Sequence, residues 1–390
     1  MRKVVIIGVG AHVCGKMLDK SLRDLGRVAI WDAISDATID AKEIQVAYVS
    51  NSIAGLITGQ EGSRGQTVLR ASGLGGIPVI NVENACAGGS TAFRGAYLEV
   101  ASGACDIALA LGVEKMFCDD TPRVVRAIAS TSEIELSKMG VQFTALYAMH
   151  TRNYMQEYGL TPEHFAKVVV KNSYNGSLNP YAQHRTPLTI DQVLNSRMIS
   201  DPLTLYMCAS ISDGAAAAIL CAEDIARQYT AKPLVEVSAC KLASGVFRGR
   251  SDTTIPTLSE IVAQSAYKEA GISPEDVDLA EVHDAMAPAE LMEYEELGLC
   301  KKGEAARMID EGRTKIDGDI PVNPSGGLTA RGHPIGATGL YQVAECVWQL
   351  RGEAGKRQVH NPRVALVQNR GGFVEGDDAA AAVIILRRRA

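Results

Sequence analysis

The feature that most constrains this chain is a phrase it uses twice. Asp213-Gly214 leads into AAAAIL, and Asp377-Asp378 leads into AAAAVIIL. Each reads as a buried strand entered from a polar loop, because an uncharged run of small and branched residues suits a strand covered on both faces. Each half also carries a glycine-rich turn that feeds a long amphipathic segment: NACAGG at 84–89 before STAFRGAYLEVASG, and GHPIGATG at 332–339 before LYQVAECVWQL. Strand-like runs such as DIALALGV at 106–113 and VALVQ at 364–368 alternate with helical patterns. Helices layered over largely buried sheets follow. The expected organisation is two duplicated α/β halves, 1–230 and 231–390. A lid or loop domain is expected to be inserted at about 118–205, where the Asn- and Pro-rich NGSLNPYAQHRTPLT breaks the alternation.

Composition narrows the function classes. Of the 390 residues 46% are hydrophobic, enough for a large core, which excludes a disordered chain and a small stapled module. The net charge is −6 with no block of five like charges, so nucleic acid and anionic membranes are not expected partners. The nine cysteines form no CxxC pair and are odd in number, which points to no metal site, no disulfide framework and a reducing cytoplasm. The opening MRKVVIIGVGA is read as a first strand rather than a leader, and no uncharged apolar run reaches the roughly 18 residues of a membrane helix. Arg387-Arg388-Arg389 is read as a solvated tail.

Three residues stand out for chemistry. Cys86 lies in NACAGGS, where strand-like VINVEN meets a helix and small neighbours leave room at the sulfur. A thiol at a helix N-terminus is expected to have a lowered pKa, although a free cysteine equally suits a small buried hydrophobe. His333 lies in TARGHPIGATG, a rigid turn that can present an imidazole to Cys86 as a base, or bond its own backbone. His283 follows VDLAEV at a strand's C-terminal end, where open α/β sheets form their ligand crevices. It could polarise a thioester carbonyl with Asp284 fixing its tautomer, or the pair could merely precede a helix as its cap. His12, His150, His164, His184 and His360 lack a supporting motif of their own. GVGAHVCG lacks a full dinucleotide fingerprint, and HExxH, GxxxxGK[ST] and GxSxG do not occur.

Taken together, NACAGGS, VHDAMAPAELMEYEELGLC, NPSGGLTARGHPIGATG and the twin alanine-rich strands closely resemble the thiolase superfamily over essentially the whole chain. HDA in place of Asn-Glu-Ala, with YAMHTRNYMQEYG and NSYNGSLNPYAQ, resembles the sterol-carrier-protein-type and archaeal-type branch. No fused sterol-carrier domain is expected. The resemblance implies the thiolase fold, two βαβαβαββ halves in a five-layer α-β-α-β-α sandwich. It implies Cys86 as acyl-accepting nucleophile, His333 as its base, and His283 with His333 as the oxyanion hole for the thioester. A second oxyanion hole would use the backbone N–H of Cys86 and of a glycine in the Gly371-Gly372 turn.

The implied reaction is thiolytic, retro-Claisen cleavage of a 3-oxoacyl-CoA, with coenzyme A as co-substrate and no bound cofactor. The C-x-G cysteine of such proteins is absent: the segment reads VQNRGGF, and its position is assigned to Gln368, which cannot exchange a proton. A branched, aromatic or dicarboxylic acyl chain, such as that of benzoylsuccinyl-CoA, is therefore expected in preference to acetoacetyl-CoA synthesis. His150 and Ser210 are candidate pantetheine contacts. A homodimeric core and a separate zinc-ribbon/OB-fold companion subunit are expected partners. The alternatives are a condensing enzyme of the ketosynthase or hydroxymethylglutaryl-CoA-synthase kind, a non-catalytic acyl-CoA-binding subunit, and a retro-aldolase of the same fold.

Overall fold

The computed structural model describes residues 2–246 and 256–389. Its strands are β1 (Val4–Ala11), β2 (Val46–Ser50), β3 (Val79–Val82), β4 (Ile107–Glu114), β5 (Met198–Ser200), β6 (Leu203–Thr204), β7 (Gly214–Ala222), β8 (Val235–Ala243), β9 (Leu279–Glu281), β10 (Val364–Val374) and β11 (Asp377–Arg388). Nine of them pair in the order β3-β2-β4-β7-β1-β8-β11-β10-β9, while β5 and β6 form a separate hairpin.

The duplication is visible in that order. Outward from the β1/β8 seam the first half runs β1, β7, β4, β2, and the second runs β8, β11, β10, β9. The pairings match as well: β1–β7 and β8–β11 are antiparallel, as are β4–β7 and β10–β11, whereas β2–β4 and β9–β10 are parallel. A parallel bridge between Ala280 and Val322 stands where β3 stands in the first half. The repeated phrases lie within β7 and β11, each inserted between two antiparallel neighbours, which is why both stretches are written in small and apolar residues.

The seam itself is slight, since β1 meets β8 only at Val5↔Glu236 and Ile6↔Val235. What joins the halves is a shared layer of two helices, Gly88–Ser102 and Thr338–Arg351, packed in one core cluster with strand residues of both halves. In the second of these every residue but Trp348 is buried. The other sheet faces are covered by Leu22–Ala37 in the first half and by Leu258–Ala270 and Ala287–Glu296 in the second. The layers are thus helix, sheet, helix, sheet, helix. Between β4 and β7 the chain leaves the sheet and forms helices including Phe143–Tyr158 and Pro162–Leu178.

One expectation fails at the C-terminus. Arg387 and Arg388 belong to β11, and Arg389 pairs with Glu236 at 2.8 Å, so this basic run is tied down by strand pairing and a carboxylate. Among the described residues no helix is long and apolar enough to cross a membrane.

Candidate active site

Cys86 sits in the one-turn 3-10 segment Ala85–Ala87 that enters the Gly88–Ser102 helix. The turn is tight enough to put Ala85 at φ 46°, a left-handed conformation that costs an alanine on the order of 1 kcal/mol or more. It is held by Glu83, whose carboxylate accepts the Ala85 N–H at 2.6 Å, and by the Ala87 N–H bond to the Asn84 carbonyl at 2.9 Å. Gly371 on β10 closes over it: a Cβ there would lie 2.4 Å from the Ala87 nitrogen and 2.5 Å from the Cys86 nitrogen. Only glycine lets the strand approach so closely.

The His333 ring reaches Cys86 from the other half, with Nε2 3.3 Å from Sγ. Its far nitrogen, Nδ1, is 2.7 Å from the Thr338 hydroxyl, which itself donates to the Pro334 carbonyl at 3.1 Å. The hydroxyl's hydrogen is thereby committed, so Thr338 accepts from Nδ1–H and Nε2 is left with the lone pair that can take the thiol proton. The His333 backbone is fixed by the Ser210 carbonyl at 3.2 Å and by Ser212 Oγ at 3.0 Å.

His283 is the third member. It is buried, its ring centroid is 5.1 Å from that of His333, and the Sγ of Cys86 and one nitrogen of each ring lie within 4.8 Å of one another. Burial pulls its pKa well below the usual histidine value, so it is neutral. The same holds for His333, pulled down to about 3 by burial and then by Arg331. Cys86 does not carry the lowered pKa expected at a helix N-terminus. Burial, then the charges of Glu114, Glu83 and Asp378, push it up to about 12. Desolvation outweighs the dipole here, and the resting pair is a neutral thiol beside a neutral imidazole.

Two sequence readings need correction. Asp284 does not touch the His283 ring. Its carboxylate turns inward to the Leu328 N–H at 2.7 Å and the Asn172 amide at 3.0 Å, and the helix that follows begins at Ala287 with Met286 at its cap. Gln368 does not line the chamber either: it is fully buried, accepts the His283 backbone N–H through Oε1 at 2.9 Å and donates to Ser259 at 3.0 Å. The residue that meets the His283 ring is its neighbour Asn369, whose Nδ2 is 3.0 Å from Nδ1. The sequence reading missed it, although a signal was available. Asn369 lies two residues before Gly371, the C-x-G spacing, once Gly371 is taken as the glycine that abuts Cys86.

The three side chains open into a chamber of about 250 Å³ whose walls include Ser210, Ile211, Met286, Ile335, Tyr147 and Cys208, with Gly371 and Gly372 at its margin. His150 is elsewhere. It borders a neighbouring cavity of about 430 Å³, edge-on to Phe373 at 6.1 Å between centroids. Phe143, Tyr147, Arg370, Gly372 and Asp378 border both cavities. Arg370 is the cation lining the Cys86 chamber among the described residues, and it already faces Glu293 at 3.3 Å and Asp378 at 3.4 Å.

Comparison with known proteins agrees with this geometry. Residues 4–224 match the family model described as thiolase, N-terminal domain, and residues 242–388 match thiolase C-terminal domain-like. The chain is 47% identical over 376 residues to an acetyl-CoA acetyltransferase of Methanothermobacter thermautotrophicus, covering 95% of this chain and 97% of that one. It is 39% identical to the benzoylsuccinyl-CoA thiolase subunit BbsB of Thauera aromatica, covering 95% of each. Among solved structures it resembles an Ltp2-ChsH2(DUF35) aldolase, with TM-score 0.83 and 26% identity over 99% of this chain and 98% of that one.

Proposed function

The chain belongs to the thiolase family and is an acyltransferase, and from that premise we propose that it cleaves a 3-oxoacyl-CoA by thiolysis through an acyl group carried on Cys86. The observation that carries the reading is the 3.3 Å contact between Cys86 Sγ and the unprotonated Nε2 of His333. Cys86 attacks the 3-oxo carbonyl and its proton passes to His333. Cleavage of the C2–C3 bond leaves the acyl group on sulfur and an enolate of the departing CoA thioester. His283 donates to the enolate oxygen. The carbon of that enolate needs one proton, and His333 holds the one it took from Cys86. One histidine therefore balances the first half-reaction without a second cysteine. In the second half-reaction the CoA thiol attacks the acyl-enzyme, its proton returns to Cys86 through His333, and the product thioester leaves.

The chamber favours a neutral acyl group. Apart from Arg370 and Asp378 its lining is uncharged, with Met116, Ile128, Ile211, Met286 and Ile335 among it, and Arg370 is already balanced by carboxylates, so a second carboxylate on the acyl chain would find no free cation among the described residues that line the chamber. Neutral branched or aromatic chains, and the acetyl group named for the archaeal relative, fit that environment better than a dicarboxylic one. We further place the split between the halves near residue 230, with the insertion at 118–205. We assign the protein to a reducing cytoplasm on its nine free cysteines. A homodimer would form across the partly exposed edge strand β3. A small companion subunit is suggested by the similar structure named for both Ltp2 and ChsH2(DUF35). That structure is also named an aldolase, but a thiol held against an unprotonated imidazole favours acyl transfer here.

The test is intact-protein mass spectrometry after mixing with a panel of 3-oxoacyl-CoA and acyl-CoA thioesters, followed by peptide mapping. The expected result is an adduct on Cys86 that added CoA removes and that Cys86→Ala lacks while keeping its circular dichroism. An adduct-free protein that still binds CoA would support a carrier subunit instead. Decarboxylation of malonyl-CoA by the acylated enzyme would identify a condensing enzyme.

A further inference from the structure

If His283 stabilises the enolate oxygen, the ring nitrogen that faces the chamber must carry a hydrogen, and the thiolase reading rests on this. Which nitrogen carries it is decided by the partner of the other one. Nδ1 is occupied by Asn369 at 3.0 Å, which leaves Nε2 for the chamber. The Asn369 amide has a defined direction. Its Oδ1 accepts from the Ser90 hydroxyl at 3.1 Å and lies 2.8 Å from where a Cβ on Gly339 would stand. Ser90 and Gly339 are in the first turns of the two central helices, Gly88–Ser102 and Thr338–Arg351. The amide oxygen thus sits where the first turns of both helices meet, with the Ser90 hydroxyl donating to it, and the positive ends of two helix dipoles favour the carbonyl end of an amide at such a place. The NH2 end is turned to His283, Nδ1 accepts from it, and Nε2 bears the hydrogen.

The same cluster has a second potential chemistry. A cysteine sulfur and two imidazole nitrogens within 4.8 Å of one another are a donor set that suits zinc. A metal requires a lone pair on each nitrogen, and the tautomer imposed by Asn369 puts a proton on one of them. We propose that Asn369 is a positioning residue that holds His283 as an Nε2–H donor and so keeps the Cys86–His283–His333 cluster available to thioesters and closed to divalent metal.

The discriminating variant is Asn369→Asp. A carboxylate accepts from Nδ1–H and frees the Nε2 lone pair, the arrangement that commonly stands behind a metal-bound histidine. The Ser90 hydroxyl can still donate to the carboxylate and the nearby first turns of two helices favour its charge, so the fold should be retained. Turnover of the 3-oxoacyl-CoA identified by the adduct screen should fall about 100-fold or more in kcat with little change in KM, as when one oxyanion donor is removed. Zinc affinity measured by calorimetry should rise about tenfold or more over wild type. Cobalt should give a thiolate-to-metal charge-transfer band that disappears when Cys86→Ser is added. Asn369→Ala offers neither donor nor acceptor and should lose turnover without gaining metal. A merely structural role would lower Asp and Ala variants alike and leave zinc binding unmoved. An Asp variant that binds zinc no better than wild type, or that keeps wild-type kcat, overturns the proposal. The metal measurement needs no turnover: zinc gained by a protein whose wild type forms no acyl adduct would sink the thiolase reading and leave the orienting role of Asn369 standing.

Discussion

Cys86 rests as a neutral thiol in the free protein. Burial raises the thiol to about 12 and lowers His333 to about 3, so the thiolate–imidazolium pair is disfavoured in the free protein. The sign of the consequence is fixed: below a raised pKa the thiol is neutral, and its thiolate fraction grows about tenfold per pH unit. Alkylation of Cys86 by iodoacetamide, followed by peptide mapping, should therefore be slow at neutral pH and still be rising at about pH 10. A plateau reached near neutrality would show an activated ion pair and contradict this electrostatic reading. At this scale the sequence was legible for identity and not for state. NACAGGS and GHPIGATG single out Cys86 and His333, but the solvent exclusion that sets the charge at Cys86 comes from apolar residues remote in the chain, such as Met116, Val124 and Ile211, which pack in one cluster with it. Asp284 was not legible because its carboxylate turns to partners far along the chain, Leu328 and Asn172, whereas Asn369 was passed over although its spacing to Gly371 pointed to it. Adjacent residues on a strand point to opposite faces, so a one-residue difference, Gln368 against Asn369, decides which side chain meets the His283 ring.

Elements carry the site by approaching one another more closely than side chains permit. β10 runs over the Cys86 turn at Gly371, and the 332–339 turn is pinned to the first half by Glu114. That carboxylate receives N–H groups from Ser52, Ile53, Ala54 and Gly336 and the amide of Asn51, at 2.9–3.2 Å. Burial raises Glu114 to about 7 against those donors, each of which favours the anion. Gly371→Ala tests the close approach. Its methyl would collide with backbone atoms, which cannot rotate away, so β10 and the Cys86 turn must separate. Acylation of Cys86 should fall by about 100-fold, the cost of a misplacement near 1 Å, and the urea midpoint should drop by the equivalent of about 1–3 kcal/mol. A variant that acylates at the wild-type rate would show that contact between β10 and the Cys86 turn is dispensable. The repeated strands were legible in sequence because their periodicity and composition report burial directly. The glycine contacts were not, because a glycine's neighbours are set by packing between halves.

At the scale of the molecule, the duplication raises the question of whether the halves are independent. Two residue pairs at the β1/β8 seam would not join them. The central layer does. Gly89 packs against the Leu340 and Gly339 amides, Ser90 bonds Asn369, and Gly112 meets the backbone of Gly336 and Ala337. At the far end of the Thr338–Arg351 helix, buried Arg351 reaches Asp36 at 2.8 Å and the Ile6 carbonyl at 3.0 Å. Each half thus supplies part of the other's core, and the Cys86–His333 contact itself spans the division. A half that unfolded alone would expose the apolar face of its partner's central helix, at a cost of roughly 25 cal/mol per Å² uncovered. The halves should therefore lose structure together. The chain has two tryptophans, and they fall one in each half: Trp31 on Leu22–Ala37 and Trp348 on Thr338–Arg351. Trp31→Phe and Trp348→Phe leave single reporters of the second and first half respectively. Their fluorescence transitions in urea should coincide with each other and with loss of the acyl adduct on Cys86. Separate midpoints would mean that one half stands without the other, and the central helix pair would then be a contact surface between two folded bodies rather than their common core.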